Sequence, residues 1–363
     1  MDNIGGAEVV TLTLARELNG DIYTTNINTD HIKEMGFEDI IPRIFSIGKI
    51  PLQAPWRHQL AFWRFRHLNL KDKYDFYIIS GDWAMSGAVL NKPNLWYVHS
   101  PLHELWAFKD WIRNTMVAPW KRPAYDLWVW FNRKLTLSYA KHIKNVVANS
   151  INTQERVKKY YSKEAVVINP PINTNNFKFK MSGDYWLSVN RIVKHKRIEI
   201  QVDAFRKMPN EKLIIVGSYE KNADQFEEYK DEIERALPKN IKILNWVTSE
   251  ELRNLYANCK GFITTSKAED FGMTAVEAMS AGKAVIAPNE GGYKETIIHG
   301  RTGVLIESID SEKLAESIRK ISHELEENPN RYKNESENHA SQFDTSVFIK
   351  KIKAVISCSE SKK

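Results

Sequence analysis

The chain has 363 residues, 42% hydrophobic and 27% charged, with a formal net charge of +7. That is too long for one ordinary hydrophobic core, so two domains are expected of a soluble globular protein. No run of eighteen apolar residues marks a spanning helix, and MDNIGGAEVV lacks the basic-then-apolar layout of a signal peptide. Two cysteines, Cys259 and Cys358, give no disulfide framework, which fits a reducing cytoplasm.

Charge is uneven along the chain. Residues 1–40 sum to −6 and residues 41–180 to +14, and the basic stretch is rich in aromatics. Trp56-Arg57-His58 leads into Phe62-Trp63-Arg64-Phe65-Arg66, and residues 106–130 hold five of the eleven tryptophans. Basic residues among tryptophans suit an anionic membrane surface, where the rings enter the headgroup layer. The alternatives are core aromatics backed by solvated charges, or single-stranded nucleic acid. No helix-turn-helix, zinc or RNA-binding signature is present, so no nucleic-acid partner is expected.

In chain order, Gly5-Gly6 opens an amphipathic helix over 9–18. Strands are predicted at 22–25, 76–79 and 95–98 from β-branched and aromatic runs, each followed by small or polar residues. The third delivers His99-Ser100-Pro101. A strand over 146–150 ends in a helix cap, a helix covers 151–161 and a strand 165–168. Pro170-Pro171 then stops the strand and marks a domain boundary. Strand 185–189 runs into a basic cluster containing Arg191, Lys194, Lys196 and Arg197. Such a cluster can clamp an anion, Arg by bidentate geometry and Lys as a point charge; a solvated turn is the plainer reading. Strands at 212–217 and 241–244 follow, and a Ser-capped helix starts within 247–252.

The densest signal lies at 264–305. A buried strand over 261–265 feeds a loop that carries Glu269, Asp270 and Gly272. Thr274-Ala275-Val276-Glu277 has the form of a capping box and starts a helix ended by Gly282. Strand 284–287 leads to Gly291-Gly292. Ligands of open α/β sheets sit at the carboxyl ends of the strands, where helix N-termini offer N–H groups to anions. Carboxylates beside such a place suit a ligand with both phosphates and hydroxyls, as in a nucleotide-sugar. A short strand at 302–305 and helices over 311–325 and 343–356 complete the chain.

Glu269 and Glu277 are separated by seven residues. With Phe271-Gly272 and Gly291-Gly292, they resemble the E-x7-E signature of glycosyltransferase family 4, retaining enzymes of the GT-B fold. Residues 97–106, with His99-Ser100-Pro101, are similar to the HxP segment of the family's mannosyltransferase-like branch. Residues 146–173 resemble its interdomain linker. Residues 190–197 resemble its G-R-x-K-G segment, with Asn190 and Arg197 in place of the two glycines; Asn at the first accepts left-handed backbone angles. The resemblance covers nearly the whole chain. The family's first parallel strand, which would precede Gly5-Gly6, is missing from residues 1–4, and a longer native N-terminus is the expectation.

This resemblance implies an α/β GT-B fold: two Rossmann-like domains facing each other across a crevice, with a C-terminal helix returning to the first. Residues 1–172 would bind the acceptor, 173–342 the nucleotide-sugar, and 343–363 would form the returning helix. It assigns Glu277 to the ribose hydroxyls, Glu269 to sugar hydroxyls, and the Phe271, Gly272 and Met273 backbone to the sugar and diphosphate. Gly5, Gly6, Arg191 and Lys196 would lie at the donor diphosphate and His99 at the transferred ring. Glu269, His99, Arg191 and Lys196 make the implied catalytic set. Because cations meet the leaving-group charge, neither cofactor nor metal is expected, and no D-x-D or His/Cys ligand cluster is apparent. The expected reaction is retaining transfer of a hexose, mannose from GDP-mannose, to a saccharide or lipid-linked acceptor. The protein would be cytoplasmic and peripheral at the inner face of the membrane. The alternatives are a UDP-sugar donor, a nucleotide-sugar epimerase, or a non-catalytic donor-binding subunit.

Overall fold

The structure is a computed structural model that describes residues 1, 4–51, 56–217, 224–235, 237–245 and 247–360; the last residues of the predicted 343–363 segment lie outside that range. The chain divides into two units, Met1–Asn169 with Phe348–Lys363, and Pro170–Val347.

In the first unit, α1 (Gly6–Glu17), β1 (Ile22–Thr24), α2 (Thr29–Glu34) and β2 (Ile44–Ser46) enclose a small core of Leu12, Ile22, Ile32, Phe37 and Ile40. Strands β1 and β2 pair in parallel, Ile22 opposite Ile44. The rest is α3 (Trp56–His67), β3 (Tyr77–Ser80), β4 (Asn94–Val98), α4 (Lys109–Thr115), α5 (Arg122–Ala140), β5 (Asn145–Ala148), α6 (Ile151–Tyr161) and β6 (Val166–Val167). Its sheet is parallel in the order β3-β4-β5-β6, and among the described residues no strand joins it to β1. Every residue of β4 is buried, which is why its sequence is a nearly unbroken apolar run: helices cover both faces of a parallel sheet. Ser150 caps α6 as expected, accepting from the Thr153 N–H at 3.0 Å.

The second unit alternates strand and helix throughout: β7 (Tyr185–Val189), α7 (Ile198–Arg206), β8 (Lys212–Val216), α8 (Asp224–Arg235), β9 (Ile241–Leu244), α9 (Ser249–Asn258), β10 (Gly261–Ile263), α10 (Met273–Ser280), β11 (Val285–Pro288), α11 (Tyr293–Thr296), β12 (Gly303–Ile306), α12 (Ser311–Glu327) and α13 (Lys333–Ala340). The six strands are parallel in the order β12-β11-β10-β7-β8-β9. The winding reverses between β7 and β10, so the loops after these two strands open on the switch point where doubly wound sheets bind ligands. One core packs Trp186, Ile215 and Ile263 against α7 and α12; the other packs Leu187, Phe262 and Val285 against α10. The last helix, α14 (Thr345–Glu360), starts in this unit and belongs to the first from Phe348 onward, where the Phe348 ring meets Tyr97 edge-on at 5.8 Å. Among the described residues, no helix is long and apolar enough to cross a membrane.

Two caps differ from expectation. Helix α9 is capped by Thr248, not a serine: Thr248 Oγ1 accepts from the Glu251 N–H and Glu251 Oε2 accepts from the Thr248 N–H, a complete capping box. Helix α10 has none. It starts at Met273 behind Gly272, whose φ of +89° only glycine adopts readily, and Thr274 is already inside the helix.

Candidate functional site

The loops after β7 and β10 are stitched together by buried polar groups. Thr265 Oγ1 donates to the carbonyls of Lys196 and Arg197 (2.7 and 2.9 Å) and accepts from Gln201 Nε2 at 2.9 Å. The Lys267 N–H donates to the His195 carbonyl at 2.8 Å. This fixes Lys196 opposite Glu269, and Lys196 Nζ donates to Glu269 Oε2 at 2.6 Å. Burial alone would raise the Glu269 carboxyl. The Lys196 charge and hydrogen bond, helped by the Ser266 hydroxyl, override it and hold the group at about 2. Glu269 is therefore an ionised acceptor at neutral pH, and Lys196 keeps two further N–H donors.

The glycine pair closes over this loop. Gly291 has φ +54°, and a Cβ there would sit 2.3 Å from the Glu269 carbonyl oxygen. The Gly292 N–H donates to that carbonyl at 2.8 Å, and a Cβ on Gly292 would be 2.4 Å from the Asp270 carbonyl. Tyr293 anchors the far side, its hydroxyl 2.8 Å from Thr264 Oγ1 and its ring where a Gly272 side chain would go. Phe271 is buried under α10, so Gly272 and Met273 carry the chain from the Glu269 loop into the helix as backbone.

Glu277 lies one turn into α10. It is not the capping-box glutamate: its Oε2 accepts from the Tyr256 hydroxyl at 2.8 Å. Burial raises its carboxyl and the Tyr256 bond partly offsets this. Its other oxygen has no hydrogen-bond partner among the described residues.

Two departures from the family pattern resolve differently from expectation. Asn190 does not use left-handed angles; the left-handed residue is Arg197, at φ +53°. Arg197 turns the chain into α7 while its guanidinium donates to the Thr265 carbonyl at 2.6 Å and to Glu290 Oε1 at 3.2 Å. It ties together the three loops that follow β7, β10 and β11. Arg191 lies exposed at the start of the same loop as Lys196. The basic run pointed to this loop, but not to which of its cations would be structural; the glutamate directly before Gly291-Gly292 was the available signal.

In the first unit, Gly5 caps α1 with extended angles and Gly6 is the first residue of the helix. His99 follows β4, its Nε2 2.8 Å from Ser80 Oγ, and its carbonyl accepts from Asn149 Nδ2 at 2.7 Å. Ser80 Oγ is also 2.7 Å from Thr11 Oγ1, and Thr11 donates to the Ala7 carbonyl. With that proton committed, Ser80 donates to Thr11 and accepts from His99, which puts a proton on Nε2. Residues Arg191, Lys196, Glu269, Phe271, Gly272, Met273 and Glu277 thus share one end of the second unit's sheet, while Gly5, Gly6 and His99 belong to the first unit.

Two parallel-sheet α/β units on one chain, the second presenting a cation, carboxylates and closely packed glycines at its switch point, is the organisation of GT-B glycosyltransferases. Comparison with known proteins goes further. The family model described as Glycosyltransferase Family 4 matches residues 4–176, and the model described as Glycosyl transferases group 1 matches residues 171–339. The chain belongs to glycosyltransferase family 4 and is a glycosyltransferase.

Among its relatives, alpha-1,3/1,6-mannosyltransferase ALG2 of Dictyostelium discoideum is 32% identical over 188 residues, which cover 46% of this chain and 44% of that protein. The match therefore spans less than half the length of that relative. ALG2 of Candida glabrata is 26% identical across 91% of this chain and 85% of its own. In fold, Anabaena Alr3699/HepE, solved in complex with UDP-glucose, superimposes with a TM-score of 0.77 at 20% identity, covering 99% of this chain and 97% of that one. Sucrose-phosphate synthase of Thermosynechococcus elongatus gives 0.75 at 16% identity, covering 97% and 92%.

Proposed function

We propose that the chain transfers mannose from GDP-mannose to a saccharide or lipid-linked acceptor met at a membrane surface, with retention at the anomeric carbon and without a metal ion. The supporting observation is the Lys196–Glu269 pair at the switch point of the second unit, 2.6 Å apart and closed over by Gly291-Gly292. Departure of a nucleoside diphosphate leaves positive charge on the anomeric carbon and negative charge on the phosphates. Lys196 and Arg191 answer the phosphate charge, each preorganised donor contributing about 3 kcal/mol to the transition state. A leaving group neutralised in this way needs no divalent cation.

Glu269, kept ionised, accepts hydroxyls of the transferred sugar, and Glu277 offers its unpaired oxygen to the ribose. Backbone groups of Phe271, Gly272 and Met273 approach the sugar and diphosphate. From the first unit, the resemblance assigns Gly5-Gly6 to the diphosphate and the Nε2-protonated His99 to the sugar ring. Mannose as the sugar rests on the ALG2 relatives and the His99-Ser100-Pro101 segment.

The test is thermal protection and sugar release across GDP- and UDP-sugars, with and without chelator. Protection by GDP-mannose with slow, chelator-resistant release of α-mannose is expected. Protection by a UDP-sugar alone would replace the donor, and loss of turnover with chelator would overturn the metal-free route.

A further inference from the structure

Helix α5 is built inside out for a surface helix. Its inward positions include Val129, Asn132 and Thr136, and its outward face carries large apolar side chains: Leu127 is 65% exposed, Trp130 53% and Phe131 50%. Trp120, one turn before the helix, is 78% exposed. Leu127, Trp130 and Phe131 recur at helical spacing and form one stripe, and Trp120 is exposed in the 3-10 turn Pro119–Lys121 that leads into the helix. The charge exposed on the stripe is Lys134, whose Nζ lies 4.3 Å over the Trp130 ring, and Lys121 is exposed just before the helix. The acidic residue of the helix, Asp126, turns aside to Arg113 and Lys109.

A second helix adds to the pattern. Helix α3 exposes Trp56 (68%) and Trp63 (58%), seven residues apart on one face, and contains arginines but no acidic residue. It lies against α5, with Gln59 Nε2 donating to Asn132 Oδ1 at 2.8 Å and His58 ring-to-ring with Trp128 at 6.0 Å. Folding leaves these rings in water, although a tryptophan buried in this unit, Trp96, shows that its core can take one.

We propose that the outward faces of α5 and α3 seat the first unit on a bilayer carrying anionic headgroups. Tryptophan favours the boundary between acyl chains and headgroups, where its ring is buried and its N–H stays wet. Flanking lysines and arginines meet anionic phosphates, and the segment 41–180 that holds both helices carries +14. A second copy fits poorly, because self-association would press together two faces whose exposed charges are all basic. This deepens the reading of a membrane-surface acceptor, but the contact itself requires neither donor nor acceptor.

The experiment is flotation of the whole chain with vesicles of phosphatidylcholine, alone or mixed with phosphatidylglycerol, followed by tryptophan fluorescence. Binding to the mixed vesicles with a blue shift is expected, weakening by about tenfold or more on neutral vesicles and at high salt. The double substitution Trp120→Ala and Trp130→Ala should lose binding to a similar degree while melting like the parent, since both side chains lie outside the core. Equal binding by the double variant, or no lipid preference, would overturn the proposal. So would concentration-dependent self-association that the same variant abolishes, which would assign the face to a second copy. Sugar release in lipid-free solution separates the two readings: a parent chain that releases sugar but does not float with either vesicle removes the membrane face and leaves the transferase standing.

Discussion

Replacing Glu269 with Gln keeps the shape of the loop and removes one charge. In the folded chain the carboxyl is held at about 2 against an ordinary 4.5, chiefly by Lys196 acting against burial. A carboxyl lowered on folding stabilises the native state above its unfolded value, and loses that contribution as pH falls through the folded value. The full shift corresponds to about 3 kcal/mol at neutral pH. Gln retains one acceptor toward Lys196, and water reaches the pair, so the cost of Glu269→Gln is about 1–3 kcal/mol at pH 7. At about 2–4 °C per kcal/mol for a unit of this size, the melting temperature should drop measurably. Thermal melts of both proteins at several pH values are the assay. The difference should be full above about 5 and shrink steadily below about 4.5 as the parent loses its advantage. A gap that stays constant down the acid limb, or no gap at neutral pH, would refute the paired, ionised carboxylate.

Further outcomes follow from the same geometry. Gly291→Ala puts a methyl 2.3 Å from the Glu269 carbonyl at φ +54°, so it should cost about 1–3 kcal/mol by denaturant melt and abolish most sugar release, because the Glu269 loop must move. Glu277→Gln should weaken nucleotide-sugar binding yet leave stability at neutral pH unchanged or slightly raised. A carboxyl raised by burial costs stability once pH exceeds its folded value, and Gln removes that cost; a clear fall in melting temperature would contradict this. At the left-handed position 197, Arg197→Gly should melt above Arg197→Ala by about 1 kcal/mol, because both lose the Glu290 contact but only alanine keeps the strain.

Much of the second unit can be read directly from its residues. Strand Val285–Pro288 is a fully buried apolar run, and Lys212–Val216 is apolar after its exposed Lys212, so length and the glycines nearby leave little choice of structure. The caps show where such reading stops. Thr248-Ser249-Glu250-Glu251 and Thr274-Ala275-Val276-Glu277 share one pattern, yet only the first is a capping box. The second fails because Gly272 starts the helix earlier, and because Tyr256, distant in sequence, claims the glutamate. Arg197 is a similar case. Local preference favours Asn190 for left-handed angles, but the guanidinium contacts with Thr265 and Glu290 hold Arg197 there instead. Nor does a tryptophan's sequence position tell whether it is core or surface: Trp96 is fully buried in β4, whereas Trp130 points outward from α5.

The most direct test of the central claim is sugar release from GDP-mannose by the parent and the Glu269→Gln variant, measured side by side at saturating donor. The account predicts metal-independent release by the parent and a loss of about a hundredfold or more in the variant, with nucleotide binding retained through Glu277. Undiminished release by the variant, or a parent that neither binds nor cleaves any nucleotide-sugar, would contradict it.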